Sequence, residues 1–237
     1  GIEVVAGVLA DDARRQQAGH ISRSARGRPY VVLKLAVSAD DAIGRKGEGN
    51  VPVTGQAARR YVQALRSRFD AILVGRGTVE ADDPELTCRL PGLEHRSPLR
   101  IVLDSRNRLA HCRVHAAGPA ATWVLGAAPD GEDGNVRRMQ VQGGPGGVDL
   151  AAGLARLGAE GITRLLVEGG AQVARSLLEA GLADEVLLFR SPAVLGGEIV
   201  PALGGLPLAT VEHSGTFRRV ERRSFGADRM TRYLRAR

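Results

Sequence analysis

An α/β layered fold with a mostly parallel central sheet is what the sequence predicts, and three observations predict it. Short apolar runs, DAILVG (70–75), RIVLDS (100–105), TWVLG (122–126), TRLLVEGG (163–170) and DEVLLFR (184–190), each stop at Gly, Ser or a charge, as strands buried on both faces do. Helical patterns near 149–159 and 171–180 separate some of them, so the order strand, helix, strand recurs. The final stretch, roughly 208–235, alternates without a helical pattern and predicts antiparallel strands.

Taken in order, residues 1–27 begin with an apolar run, continue through a polar helical stretch (DDARRQQAGH) and end in SRSARGR, a basic segment that reads as a linker. The fold proper starts at Arg28-Pro29. YVVLKLAVS (30–38) is rich in β-branched residues and predicts a strand with Val31, Leu33, Leu35 and Val37 on one face and Val32, Lys34, Ala36 and Ser38 on the other. After a Gly-rich loop at 44–50, Ala58, Val62, Leu65 and Phe69 recur at helical spacing, with Thr54 placed to cap that helix. Gly143–Gly147 (GGPGG) reads as a surface loop.

The composition narrows the function classes. The chain has 237 residues, 43% of them hydrophobic, which is enough for one large core or two small ones. No apolar run approaches the eighteen or so residues of a membrane helix, and the start lacks the pattern of a secretory signal, so a cytoplasmic protein with no membrane partner is the expectation. Cys88 and Cys112 fit neither a disulfide framework nor a paired zinc site, and no metal is expected. A net charge of +7 suggests polyanions, but aromatics are only 3% of the chain, too few for base-stacking platforms. Small phosphorylated ligands explain the charge as well as nucleic acid does, and no nucleic-acid partner is expected. The positive charge is nearly all arginine, since Lys34 and Lys46 are the only lysines.

Three places carry chemistry. VEGGAQVARSLLEAG (167–181) runs from a strand through a diglycine directly into a helix, which aims free N–H groups and the helix dipole at whatever lies above; the same sequence also suits a plain tight turn. LVGRGTVEADDPELTCRLP (73–91) follows another strand and reads as an Asp-rich turn before a loop. Lys34 sits among apolar strand neighbours, so its ammonium must be paired or reach a polar cavity. Glu168, ending another apolar strand, is its candidate partner, and a purely structural ion pair between them is the competing explanation.

RPYVVLKLAVSADDAIG, VTGQAARRYVQALRSRFDAILVGRGTVEADDPELTCRLP, PLRIVLDSRNRL and LLVEGGAQVARSLLEAGLADEVLLFRSPAVLGG occur in an order and at a spacing that resembles the reductase domain of the bifunctional riboflavin-biosynthesis deaminase/reductase, over most of residues 28–200. The resemblance implies a three-layer dihydrofolate-reductase-like fold, NADPH as cofactor and a phosphoribosylamino-pyrimidine as substrate. It further implies that Lys34 and Glu168 contact the reacting part of the substrate while Asn50, Arg66, Leu86 and Arg89 help bind it. On the cofactor side it implies Ala36, Pro52, Thr78, Asp82 and Ser105, with Gly170, Ala171, Gln172, Val173, Ala174, Arg175 and Ser176 along the diglycine helix. A homodimer is implied as well. Arg66 and Arg89 suit a 5′-phosphate, because a guanidinium fork matches phosphate oxygens. Ser105-Arg106 at a strand end suits the 2′-phosphate of NADPH.

Three departures from the family pattern stand out: Ser38-Ala39-Asp40-Asp41 in place of S-L-D-G, Pro52 in place of Trp, and Asn50 in place of Ser. Residues 1–27 resemble the end of the family's deaminase domain, and the zinc signature H-x-E followed by P-C-x-x-C is absent, so the expectation is reduction without deamination, by a reductase half or a stand-alone descendant. A uracil substrate is favoured over a diaminopyrimidinone. The rival on the same fold is a dihydrofolate or other pteridine reductase, which holds its ring with a helix carboxylate; the segment from Gly55 to Phe69 contains no acid. The rival from another class is a basic nucleic-acid-binding module.

Overall fold

The computed structural model describes every residue except 111, 145, 146 and 237. Helices α1 (Ala10–Gln16) and α2 (Ala18–Arg26) precede strand β1 (Tyr30–Val37), followed by β2 (Ala42–Arg45), α3 (Gln56–Arg66), β3 (Ala71–Gly75) and α4 (Arg76–Asp82). The middle of the chain contributes β4 (Leu99–Leu103), β5 (Thr122–Gly126), β6 (Gly131–Asp133), β7 (Val136–Gln140), β8 (Gly143–Gly144) and β9 (Gly147–Val148). Next come α5 (Leu150–Ala159), β10 (Arg164–Val167), α6 (Ala171–Glu179) and β11 (Glu185–Arg190). The chain closes with β12 (Ile199–Pro201), α7 (Ala209–Glu212), β13 (Phe217–Phe225) and β14 (Asp228–Arg235).

Ten of these strands form one sheet in the order β13-β14-β11-β1-β10-β3-β4-β5-β7-β6. The strands from β11 to β7 are parallel throughout, and β14, β13 and β6 add antiparallel edges. This is the predicted fold class. The alternation in β1 is what divides the core. Val31, Leu33, Leu35 and Val37 pack beneath α5 and α6 with Leu154, Leu157, Ala174 and Leu177. Val32 faces the other way, into a second layer with Ala58, Val62 and Leu65 of α3. Each such side chain, fully buried, stabilises the fold by roughly 1.5–3 kcal/mol, so a one-residue slip of β1 would forfeit both layers.

Several local expectations are corrected. The N-cap of α3 is Gly55 rather than Thr54 and has no side-chain cap; its own N–H donates to Asp228 Oδ2 at 2.7 Å, which ties the start of the helix to the C-terminal hairpin. The basic segment after Ile21 is helical up to Arg26 rather than a linker. It folds because Arg23 Nε donates to the Gly158 carbonyl at 2.7 Å and Arg26 pairs with Asp184 at 2.7 Å, so its charges are bound to the body of the protein. Gly19 lies so close to the body that a Cβ there would stand 2.6 Å from Arg164 Cγ. The stretch 73–91 is not all turn, because Arg76–Asp82 is the helix α4, which buries Val79. In the last stretch Ala209–Glu212 forms the short helix α7, burying Val211 ahead of the predicted antiparallel pair. Gly143–Gly144 pairs with Gly147–Val148, and the intervening Pro145 and Gly146 of the GGPGG segment lie outside the described residues.

Candidate active site

Parallel strands end on one edge of the sheet, where loops and helix N-termini converge and open α/β sheets bind ligands. Here β1, β10, β3, β4 and β5 bring Ser38, Glu168, Gly75, Asp104 and Gly126 to that edge. On the α3 face of the sheet, Lys34 and Glu168 come from neighbouring strands: Leu33 is paired with Val167, so the next residue on each strand lies side by side. Lys34 Nζ stands 4.0 Å from Glu168 Oε2 and 6.0 Å from the centre of the Phe189 ring. Arg66, at the end of α3, grips the same carboxylate with both arms, Nε to Oε1 at 2.8 Å and Nη2 to Oε2 at 3.0 Å, and its third nitrogen donates to the Thr87 carbonyl at 2.9 Å.

The three charges are held unequally. Glu168 and Arg66 have side chains 7% and 11% exposed, and Lys34 is 17% exposed. Burial pushes the Glu168 carboxyl upward, but Arg66, Lys34 and Arg89 together hold it below the ordinary carboxylate range. Burial pushes the Lys34 ammonium below its ordinary range; Glu168 opposes that shift and Arg66 adds to it. Among the described residues no acceptor lies within hydrogen-bond distance of Lys34 Nζ, since 4.0 Å is too long. The cluster therefore has a fixed carboxylate and a cation with donors to spare.

The loop after α4 carries Leu86 and Arg89, two of the remaining expected substrate residues. Leu86 is 3% exposed in the α3 layer and adopts φ +56°, and Asp83 adopts φ +37°, so two non-glycine residues are held in the left-handed region within four positions. That is strained backbone beside a charged cluster. Arg89 is exposed and pairs with Glu85 at 2.9 Å, while its N–H donates to Gln63 Oε1. Asn50 is exposed and, among the described residues, makes no side-chain hydrogen bond; its loop rests on α4, where a Cβ at Gly49 would meet the Ala81 carbonyl at 3.3 Å. Pro52 lies exposed on the same loop, three residues after Gly49.

The expected cofactor residues fall along the strand ends. Ala36 is two residues beyond Lys34 on the same face. Thr78 lies under the diglycine: a Cβ at Gly169, whose φ is +146°, would meet Thr78 Oγ1 at 3.0 Å, and one at Gly170 would meet it at 3.3 Å. Gly75 is equally close to α6, with Val173 Cγ2 at 2.8 Å from a Cβ built there. Only glycine permits this approach, and the first N–H groups of α6 are left free for an anion. The segment splits at this point, because Ala174 donates its N–H to the Gly170 carbonyl and is 1% exposed, while Arg175 pairs with Glu179 at 2.9 Å. Gly170, Ala171 and Gln172 thus form the uncapped start of α6; Val173 packs towards the core, and Ser176 is exposed further along the helix. Ser105 lies on a turn built by Asp104, whose Oδ2 accepts from the N–H of Arg108 at 2.6 Å and Leu109 at 2.8 Å. A Cβ at Gly126 would lie 2.1 Å from the Asp104 carbonyl, and one at Gly147 would approach Ser105 Oγ at 3.8 Å. Asp82, half-buried at the end of α4, has its carboxyl pushed up by burial.

The sequence reading missed four contributors. The two-armed Arg66 grip and the Thr87 carbonyl join residues from different elements, whereas the Asp104 turn and the Glu85 link to Arg89 are local to their own loops. Asp104 left a local signal, as an Asp followed by Asn107 and two arginines at a strand end, and so did the opposite charges of Glu85 and Arg89 four residues apart.

The profile of the RibD C-terminal domain matches residues 29–227. The Riboflavin biosynthesis protein RibD of Escherichia coli (strain K12) is 34% identical over 211 residues, covering 84% of this chain and 58% of that protein. The 2,5-diamino-6-ribosylamino-4(3H)-pyrimidinone 5′-phosphate reductase of Methanothermobacter thermautotrophicus is 38% identical over 175 residues, covering 72% of this chain and 81% of that protein. Among solved structures, a diaminohydroxyphosphoribosylaminopyrimidine deaminase/5-amino-6-(5-phosphoribosylamino)uracil reductase from Thermotoga maritima superimposes with a TM-score of 0.86 at 28% identity, over 100% of this chain and 65% of that one. The chain thus spans a little over half of the E. coli relative's length. With the sheet order, the carboxyl-edge glycines and the Lys34–Glu168–Arg66 cluster in place, the chain belongs to the RibD C-terminal domain family.

Proposed function

We propose that this chain is an NADPH-dependent reductase of riboflavin biosynthesis, converting 5-amino-6-(5-phosphoribosylamino)uracil to its ribitylamino form. The observation that carries the proposal is the unsaturated Lys34 ammonium beside an Arg66-locked Glu168, at the ligand-binding edge of the sheet. When bound, the nicotinamide supplies the hydride, which goes to ribose C1′ in its ring-opened imine form. The glycines at 126, 169 and 170 let β5 and the turn before α6 close onto Asp104 and Thr78, which keeps Ser105 and the start of α6 at the same edge of the sheet. Ser105 and the free N–H groups at the start of α6 would hold its phosphates, with Ala36, Pro52, Thr78 and Asp82 beside it.

Lys34 hydrogen-bonds a substrate oxygen and delivers the proton that balances the hydride. Glu168 cannot rotate, because both of its oxygens are held by Arg66, so it orients the sugar against Lys34. Asn50, Leu86 and Arg89 complete the substrate side, and Arg89 reaches the 5′-phosphate. In a pteridine reductase the carboxylate would stand on the long helix; here it comes from the end of β10, and α3 supplies the arginine instead. The division into residues 1–27 and a reductase domain over 28–237 belongs to the same reading and is supported by the family match from residue 29. So do a homodimer and a cytoplasmic location; no helix among the described residues is long and apolar enough to cross a membrane.

The test is NADPH oxidation followed at 340 nm with the uracil substrate generated in situ by a separate deaminase. The diaminopyrimidinone, dihydrofolate and NADH serve as parallel controls. Oxidation that requires both the uracil and NADPH is expected. Turnover of dihydrofolate instead, or silence with intact NADPH binding, would overturn the assignment.

A further inference from the structure

On the rim beside the Lys34 site, Glu85 holds two arginines at once. Its Oε2 accepts from Arg89 Nη1 at 2.9 Å, and its Oε1 pairs with Arg113 Nη2. Neither arginine is free to swing its backbone away. The Arg89 N–H donates to Gln63, the Arg113 N–H donates to Asp83 Oδ1 at 2.8 Å, and the Arg113 carbonyl accepts from the buried Arg100 at 3.4 Å. The two guanidinium groups therefore converge on one point from fixed anchors about an anionic group, and that group is the protein's own carboxylate. Glu85 lies between the left-handed Asp83 and Leu86, in the loop that Arg66 ties to Glu168 through Thr87. The Arg89 charge helps hold the Glu168 carboxyl low, and its partner Glu85 is two residues from Thr87, whose carbonyl Arg66 contacts.

We infer that Arg113 and Arg89 form a two-guanidinium clamp for the terminal phosphate of the substrate, with Glu85 as an internal stand-in that phosphate displaces. The inference rests on the reductase reading for the identity of the substrate, but the clamp itself requires only a phosphate monoester. A carboxylate bridging two forks presents two oxygens; a phosphate dianion presents three and carries about twice the charge, so it competes for the same donors. Once released, Glu85 swings towards solvent, where a third of its side chain is already exposed. Arg113 is a binding residue on this reading, and Glu85 sets the affinity by occupying the clamp.

The test separates clamp from activity by using inorganic phosphate and ribose 5-phosphate as probes, with binding read by calorimetry on the full chain. Arg113→Ala is expected to weaken both by about tenfold or more, the loss that follows removal of one charge-assisted pair to an anion. Glu85→Gln keeps the size and removes the competing charge, and is expected to tighten phosphate severalfold. The KM for the phosphorylated pyrimidine should move in the same two directions. Phosphate affinity unchanged in both variants, with melting curves showing folded protein, would overturn the clamp. Phosphate affinities that shift as expected in a chain that fails to oxidise NADPH with the pyrimidine would sink the reductase reading and leave the clamp standing.

Discussion

Asp184 precedes β11 at the amino end of the parallel strands, and Glu168 follows β10 at their carboxyl end. Both carboxylates are nearly buried, at 5% and 7% exposure, and both are gripped by an arginine with two arms. Asp184 accepts from Arg28 Nη1 at 2.7 Å and Nη2 at 2.9 Å, from Arg26 at 2.7 Å and from the Val31 N–H at 2.9 Å. Four donors saturate its lone pairs and tie α2, β1 and β11 together. Glu168 has only the Arg66 grip, and its second cation stands off at 4.0 Å. A saturated cluster holds the fold, whereas one that keeps unused donors in a desolvated place is built for something that arrives later.

The largest effect that tests this contrast is kinetic. Lys34→Ala should cut turnover on the order of a thousandfold, as loss of a positioned proton donor does, while the NADPH dissociation constant from fluorescence titration stays close to that of the parent. Loss of folding would instead show that Lys34 is as structural as Arg28. Next in size is Asp184→Ala. It strands Arg28, whose side chain is 13% exposed, and should cost about 3–5 kcal/mol in urea unfolding, with turnover per folded molecule preserved. A variant that folds as well as the parent would mean the amino-end cluster does not carry the fold.

How far this contrast was legible in the sequence follows from range. The face assignment of β1 was readable because period-two alternation is local: it put Lys34 with Val32, Ala36 and Ser38, the face that packs against α3. The diglycine before α6 was readable for the same reason. Asp184 was not, because its partners lie more than 150 positions away, and SRSARGR looks like linker until those arginines find a buried carboxylate. Thr54 gave way to Gly55 at the cap of α3, and the Gly55 N–H is held by Asp228, a partner equally invisible to a local window. The β6–β7 hairpin did leave a local signal: Asp133-Gly134-Asn135 with Gly134 at φ +56° is a hairpin turn. Which residues meet at Glu168 depended on β10 inserting between β1 and β3, a topology that no window of sequence contains.

A third effect is pH-dependent, and the two charges run in opposite senses. The carboxyl of Glu168 is depressed when folded, so its contribution to stability is present above its unfolded value and is lost as pH falls through the folded one. Lys34 is also depressed, but for a cation this means that the folded state binds fewer protons between the two values. The charged lysine therefore costs stability at neutral pH, and that cost fades as pH rises. In the role proposed for Lys34 the donor is the charged ammonium, so turnover should fall along an alkaline limb that begins below the ordinary lysine value of 10.5. Lys34→Arg keeps the charge through this range, so the limb should vanish from its residual activity. A limb of unchanged position in the arginine variant would assign the titration to another group.

The smallest effect decides the contrast most directly. If Lys34 is held discharged-leaning by desolvation, replacing it with an uncharged side chain of similar length should relieve that cost. Lys34→Met removes the ammonium and keeps most of the volume. Against this stands the lost attraction to Glu168, but the separation is 4.0 Å with no hydrogen bond, and burial outweighs that attraction in setting the Lys34 proton affinity. Glu168 keeps both arms of Arg66 in the variant. The net change should therefore be a gain of about 1 kcal/mol, or roughly 2–4 °C in thermal melting for a chain of this size, alongside loss of turnover. The equivalent change at the other cluster, Arg28→Met, should destabilise, since it unpairs a buried Asp184. If both substitutions lower the melting temperature, Lys34 supports the fold as Arg28 does, and the distinction between a saturated cluster and a poised one fails for this protein.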